Sequence, residues 1–488
     1  MSIRHRFISG LKWSALGKTL SQAFSWVITI FVIRLLAPSE YGLMAIAMMV
    51  ISFLTHLNEF GLGSALVQAQ DIDDEQCGAV FGVMLIIACT FASILALSSP
   101  LFAWFFDEPR LSMVIAVAGI GFIVTALATI PESMLRREMN FKALAIADMF
   151  FVFSGSLVTL AMAWQDFGVW ALVIGNLFGA TIKTITLHIL SPRKIIPNLQ
   201  FSRCRTFLGF GGYLTASRFA WLTMTQSDVL IGAKIFGKEA LGFYSVALDL
   251  ASLPMNKAMS VINQVTFSAI SKMQDQNAAT RSGLLEGFKW LAYIVFPAVA
   301  GMAVTAPEFV PIILGKNWIG VTIPLQLMAI SIPIRMINSV LSTTVVALGR
   351  ADIDFRNAIT GLLIMPTCFV IGAQFGPVGL AGAWLVAIPL IFMINFPRSA
   401  RVIGISASDL FKVFRLPLLA TLLMILSVFS ARYFLKEHID GILLLCALVL
   451  TGIAIYIISM SIFDNKFRAL LYQLIYRKKH LSEHPPIN

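Results

Sequence analysis

The residues able to do chemistry in this sequence are few, and they interrupt long apolar runs. Five are cations: Lys18, Lys183, Arg218, Lys257 and Arg335. A charge deep in a bilayer costs several kcal/mol, so such side chains face water, a partner or a ligand. Gln22 follows Lys18 by four residues and Asn338 follows Arg335 by three, spacings that place each pair on one helix face. Arginine offers a fork of donors and lysine a point charge, and both suit phosphate oxygens. In low-dielectric surroundings they would hold a diphosphate far more firmly than in water.

Four further residues suit ion coupling. His56 and Glu59 stand three residues apart, fit either for a proton site or for a local pair at a helix end. Asp228 suits a partner cation. Asp249 lies two turns before Lys257, too far for a direct pair, and reads as an ion site. Lys18 and Lys183 are shallow enough to snorkel to the membrane surface, whereas Lys257 and Arg335 sit near mid-span.

These residues belong to polar stripes at helical spacing. The first apolar run carries Ser14, Lys18, Gln22, Ser25 and Thr29, and the second Ser52, Thr55, His56 and Glu59. The seventh carries Arg218, Thr225 and Asp228, the eighth Ser245, Asp249, Ser252, Asn256, Ser260 and Asn263 with Lys257 adjoining, and the tenth Ser331, Arg335, Asn338 and Ser342. Prolines at 254 and 333 adjoin the last two stripes and favour kinks there.

The elements that must position them are membrane helices. Of 488 residues, 58% are hydrophobic and 12% charged, against about 45–50% and about 25% in a soluble domain. Mean hydropathy is +0.85. Fourteen runs approach the roughly 20 apolar residues a spanning helix needs. None alternates as a barrel strand would. An all-α integral membrane protein follows, and a soluble enzyme or a nucleic-acid binder does not. The net charge of +11 has another source. With the N-terminus cytoplasmic, 24 of the 36 basic residues fall in cytoplasmic segments and seven outside. An even helix number and this bias place both termini in the cytoplasm.

An internal repeat appears at an offset of 200. Lys18 matches Arg218, Gly42 matches Gly242, Ala47 matches Ala247, and the short turn 37–42 aligns with 237–242. The expected architecture is therefore two pseudo-symmetric six-helix lobes around a central cleft, residues 1–200 and 201–400. Residues 401–488 supply two further helices and a cytoplasmic tail. Because the polar stripes belong to both lobes, a hydrated cationic cleft between them is expected.

Other motifs lead nowhere. Lys12–Thr19 ends like a phosphate-binding loop but opens with Lys12 instead of glycine and follows no strand. Gly175 and Gly179 read as ordinary close helix packing. The five cysteines are scattered, and neither a metal site nor a disulfide framework is expected.

Several segments together resemble a known family. They are Arg34–Gly42, Phe60–Gly63, Asp228–Gly232, Leu241–Ser245, Phe267–Asp275, Leu314–Trp318 and Ala347–Arg350, in consistent order over most of the chain. The chain resembles the polysaccharide exporters and lipid-linked oligosaccharide flippases of the multidrug/oligosaccharidyl-lipid/polysaccharide (MOP) superfamily, nearest the exopolysaccharide branch. Ser268 departs from the proline many relatives carry. The resemblance implies twelve or fourteen helices and movement of undecaprenyl-diphosphate-linked sugars across the bacterial inner membrane. It implies diphosphate binding at Lys18, Arg218, Lys257 and Arg335, with Gln22 and Asn338 beside them. No catalysis and no cofactor are implied, and coupling to H+ or Na+ varies within the superfamily. The partners implied are the lipid-linked oligosaccharide, membrane lipids, and a polymerase and co-polymerase, with a monomer as the default. A multidrug or cation antiporter of the same superfamily is the alternative; it favours an acidic cleft, which the excess of cations opposes.

Overall fold

A computed structural model of the chain describes residues 20–58, 73–198, 212–270, 277–469 and 471–473. They form helices α1 (Leu20–Leu35), α2 (Pro38–Asn58), α3 (Asp74–Phe105), α4 (Arg110–Arg137), α5 (Phe141–Trp164) and α6 (Val169–Leu190). Helix Gly212–Ile270 is interrupted at Gly237, whose φ of 75° and ψ of −176° break it into α7 (212–236) and α8 (238–270). There follow α9 (Asn277–Phe309), α10 (Thr322–Ala347), α11 (Ala351–Ala373), α12 (Gly376–Ile403), α13 (Ala407–Leu435) and α14 (Gly441–Phe463). Among the described residues there is no strand. Among them eleven helices are long and apolar enough to cross a membrane. The other three, α1, α7 and α8, all carry polar stripes.

The surface is that of a protein solvated by lipid. Leu97, Ile189, Met393 and Ile462 are more than two-thirds exposed. Water would not tolerate so many large apolar side chains, and hydrocarbon does. Small residues such as Ala79, Ala147 and Ala171 are buried where helices approach closely. A methyl on Gly155 would lie 3.0 Å from the Gly175 carbonyl oxygen and 3.4 Å from Gly179 Cα, so those glycines bring α5 and α6 together.

The chain divides into two compact units, residues 1–245 and 246–488. In the first, α3 pairs with α4 and α5 with α6, and α2 and α6 both pack on α4. One end of this unit is held by charge. Glu40, in the first turn of α2, accepts bonds from Arg110 at 2.9 and 2.7 Å and from the Val169 N–H at 2.6 Å. The carboxylate thereby satisfies an orphan donor at the start of α6 and meets the positive end of its dipole. Gly168 stands at φ +57°, and a methyl there would lie 2.6 Å from Glu40 Oε2; both facts require glycine. Lys234 pairs with Asp107 at 3.0 Å, and Lys238 with Glu108.

At that same end Gly42 and Gly242 touch. A methyl on Gly42 would run into the Lys238 carbonyl oxygen, and one on Gly242 into the Pro38 carbonyl oxygen. The contact is reciprocal at the offset of 200, so the two turns aligned in sequence meet as a two-fold pair.

In the second unit α12 packs on α10 and α11, while α9 packs on α10 and α13, and α13 on α14. Asp464, just beyond α14, is 5% exposed and accepts from Lys289 at 2.7 Å and the Tyr293 hydroxyl at 2.6 Å. Burial raises its carboxyl pKa, but the bonds from Lys289 and Tyr293 outweigh it and hold the group below the usual carboxylate value. The pair thus stabilises the fold above the ordinary carboxylate range, and that contribution is lost as pH falls through the lowered value.

Gly42→Ala should destabilise the protein by about 1–3 kcal/mol, the range for overpacking a close contact. A lowered melting midpoint in detergent is expected; an unchanged midpoint would show that the α2–α8 contact yields freely.

Candidate functional site

The sequence-derived residues fall into three groups. Lys18 and Glu59 lie outside the described residues, and the side chains of His56 and Arg218 do so too, although their backbones are in α2 and α7. Gln22 is half-buried on α1. In α8, Asp249 and Lys257 are exposed, the latter three residues after Pro254.

Asp228 is fully buried. Its Oδ2 accepts from the Tyr244 hydroxyl at 2.7 Å and its Oδ1 from the Val229 N–H at 2.7 Å. The bond ties α7 to α8 across the Gly237 corner. A buried carboxylate that braces two helices is doing structural work.

Lys183 is structural on the same reasoning. Its ammonium lies 2.8 Å from Asp148 and 3.4 Å from Glu132, and Glu132 also binds Arg136 at 2.5 Å. Two acids and two bases join α4, α5 and α6.

Arg335 has a different setting. It is half-buried on α10, and its guanidinium carbon sits 4.3 Å from the ring centroid of Trp384 on α12. Trp384 is 3% exposed and stacks edge-on to Phe369, with centroids 5.3 Å apart. A guanidinium this close to an indole face gains about 0.5–2 kcal/mol. One turn on, the Nδ2 of Asn338 is buried with no hydrogen-bond partner among the described residues. Arg335 and Asn338 therefore lie on one face as their spacing predicts, and together they offer donors suited to phosphate or carbonyl oxygens. Trp384 was not legible beforehand, because an indole in an apolar run carries no sign of what it stacks on.

Two concavities are lined by other residues. An apolar groove of about 580 Å³ runs between α9, α13 and α14, lined by Met302, Leu448, Gly452 and Phe467 among others. A smaller pocket of about 290 Å³ lies between α1, α2, α5 and α6. Among the described residues no three His, Cys, Asp or Glu side chains group as metal ligands.

Residues 31–323, more than half of the chain, match the family of polysaccharide biosynthesis proteins. The chain belongs to this family. It is 24% identical over 410 residues to the lipopolysaccharide biosynthesis protein WzxC of Escherichia coli (strain K12), covering 83% of each chain. It is 24% identical over 469 residues to the succinoglycan biosynthesis transport protein ExoT of Rhizobium meliloti (strain 1021), covering 95% of this chain and 94% of the relative. Among solved structures it resembles the lipid II flippase MurJ in an inward closed conformation. The TM-score is 0.75 at 16% identity, over 93% of this chain and 99% of that one. An inward-facing multidrug resistance MATE family transporter of the MOP superfamily gives 0.63 at 13% identity, over 78% and 96%. The fold is the one these two transporters have, and this member of the polysaccharide biosynthesis family is a multi-pass membrane protein.

Lys183→Ala should leave Glu132 and Asp148 without their shared cation and cost about 1.5–3 kcal/mol, the range for hydrogen bonds to charged groups. The expected sign is a lower melting midpoint in detergent, restored by Lys183→Arg. An unchanged midpoint would show that the triad braces nothing.

Proposed function

We propose that the protein flips a polyprenyl-diphosphate-linked oligosaccharide across the bacterial inner membrane, by alternating access of a cationic cavity, for export of a polysaccharide. The observation that carries this reading is a polysaccharide biosynthesis sequence on a fold shared with a lipid II flippase. Arg335 supports it: a cation held on an aromatic face within a membrane helix suits the diphosphate that joins lipid to sugar. Lys18, Arg218 and Lys257 are proposed to share that charge, with Gln22 and Asn338 as neutral donors. Asp249, His56 and Glu59 are the places where H+ or Na+ coupling would act; Asp228, also a candidate by sequence, is already held by Tyr244.

The chemistry is movement without bond-making. The polar head needs donors and water along its path, because an unsolvated diphosphate in hydrocarbon is prohibitively costly. The polyprenyl tail needs only an apolar surface, and the groove between α9, α13 and α14 is of that kind. The protein would sit in the inner membrane with both termini cytoplasmic, as the basic residues favour.

Changing Arg218 and Arg335 together to Ala should abolish polysaccharide export in a complemented deletion strain, with lipid-linked oligosaccharide accumulating and membrane abundance of the protein unchanged. Unaltered export at equal abundance would contradict the reading.

A further inference from the structure

The smaller pocket has a composition that the diphosphate reading does not use. It is lined by Ser25 and Thr29 of α1, Tyr41 of α2, Ser156 and Thr159 of α5, and Asn176 of α6. No charged side chain lines it among the described residues. The absence of a carboxylate removes the usual holder of a proton or cation, and the absence of Lys or Arg removes the usual holder of phosphate.

The hydroxyls behave differently from their neighbours. Ser154, Thr159 and Thr181 turn back onto carbonyl oxygens of their own helices at 2.5, 2.9 and 2.8 Å, the usual way a hydroxyl in a membrane helix is satisfied. Among the described residues, Ser25, Thr29, Ser156 and Asn176 make no such bond through their side chains. These four polar side chains from three helices, Ser25 and Ser156 half-buried and Thr29 and Asn176 exposed, line one space. In a hydrocarbon environment each costs free energy unless water or a ligand completes it. Tyr41 and Phe151 add aromatic surface to the same pocket.

Neutral hydroxyl and amide groups around an aromatic wall match a polyhydroxylated ring, which has apolar faces and an equator of donors and acceptors. At about 290 Å³ the space lies at the lower end of small-molecule sites, about 300–1,000 Å³, and takes one sugar ring rather than an oligosaccharide. We infer that the pocket between α1, α2, α5 and α6 is a saccharide subsite that takes one uncharged pyranose of the transported glycolipid. The inference rests on the flippase reading. It assigns sugar recognition to the first unit's neutral pocket and leaves the diphosphate to the cations.

The test uses the purified full chain in detergent and three probes. These are undecaprenyl diphosphate, the lipid-linked repeat unit extracted from a strain lacking the protein, and the free saccharide released from it by mild acid. Ser156→Val with Asn176→Leu should weaken binding of the lipid-linked repeat at least tenfold, at roughly fivefold per lost hydrogen bond. Binding of undecaprenyl diphosphate should stay within about twofold, which also shows that the variant folds. Competition by the free saccharide that disappears in the variant supports the same assignment. Equal weakening of both lipids, no change in either, or free-saccharide binding untouched by the variant would overturn it. Failure of the wild-type chain to bind either lipid would overturn the flippase reading itself and the subsite with it.

Discussion

Hydrocarbon offers no hydrogen bonds, and that single constraint sorts nearly every polar side chain in this protein. A polar group within the spans must find a partner in the protein, reach the surface, or face water and ligand. Lys183 finds Asp148 and Glu132, Asp228 finds Tyr244, and Arg432 finds Glu308 at 2.7 Å. These are braces between helices. Arg335 is placed instead on the face of Trp384, and Asn338 keeps a buried Nδ2 without a hydrogen bond among the described residues. In the proposed reading it is these two that meet the cargo.

The same constraint explains why the helix ends matter so much. Lipid supplies no hydrophobic drive between apolar helices, so close backbone approach and polar ties decide their arrangement. The Gly42–Gly242 contact does the first, and Glu40, bound to Arg110 and the start of α6, does the second. Both lie in the segment 34–42 on which the family resemblance partly rests. That segment combines a glycine in close backbone contact with a carboxylate that reaches two other helices.

Much of the fold was legible, because its cause is local. Runs of apolar residues and the glycine corner at 237 mark fourteen helices without reference to any tertiary contact. The offset of 200 also aligned two turns that prove to touch. What was not legible depends on distant partners. Depth alone could not tell Lys183 from Arg335, since the acids that neutralise Lys183 lie on α4 and α5, and the ring beneath Arg335 lies on α12. The neutral pocket was half visible, as the Ser25–Thr29 stripe; its other wall comes from α5 and α6.

The sequence family, the shared fold and the stacked arginine are what support the proposed movement of a charged glycolipid head. Reconstituted vesicles holding a fluorescent undecaprenyl-diphosphate oligosaccharide in both leaflets test this most directly, by the fraction reached by an impermeant quencher. The wild-type chain should expose the inner-leaflet pool, and Arg335→Ala should behave as protein-free vesicles do. Wild-type vesicles indistinguishable from protein-free ones, or full exposure by Arg335→Ala, would contradict the account.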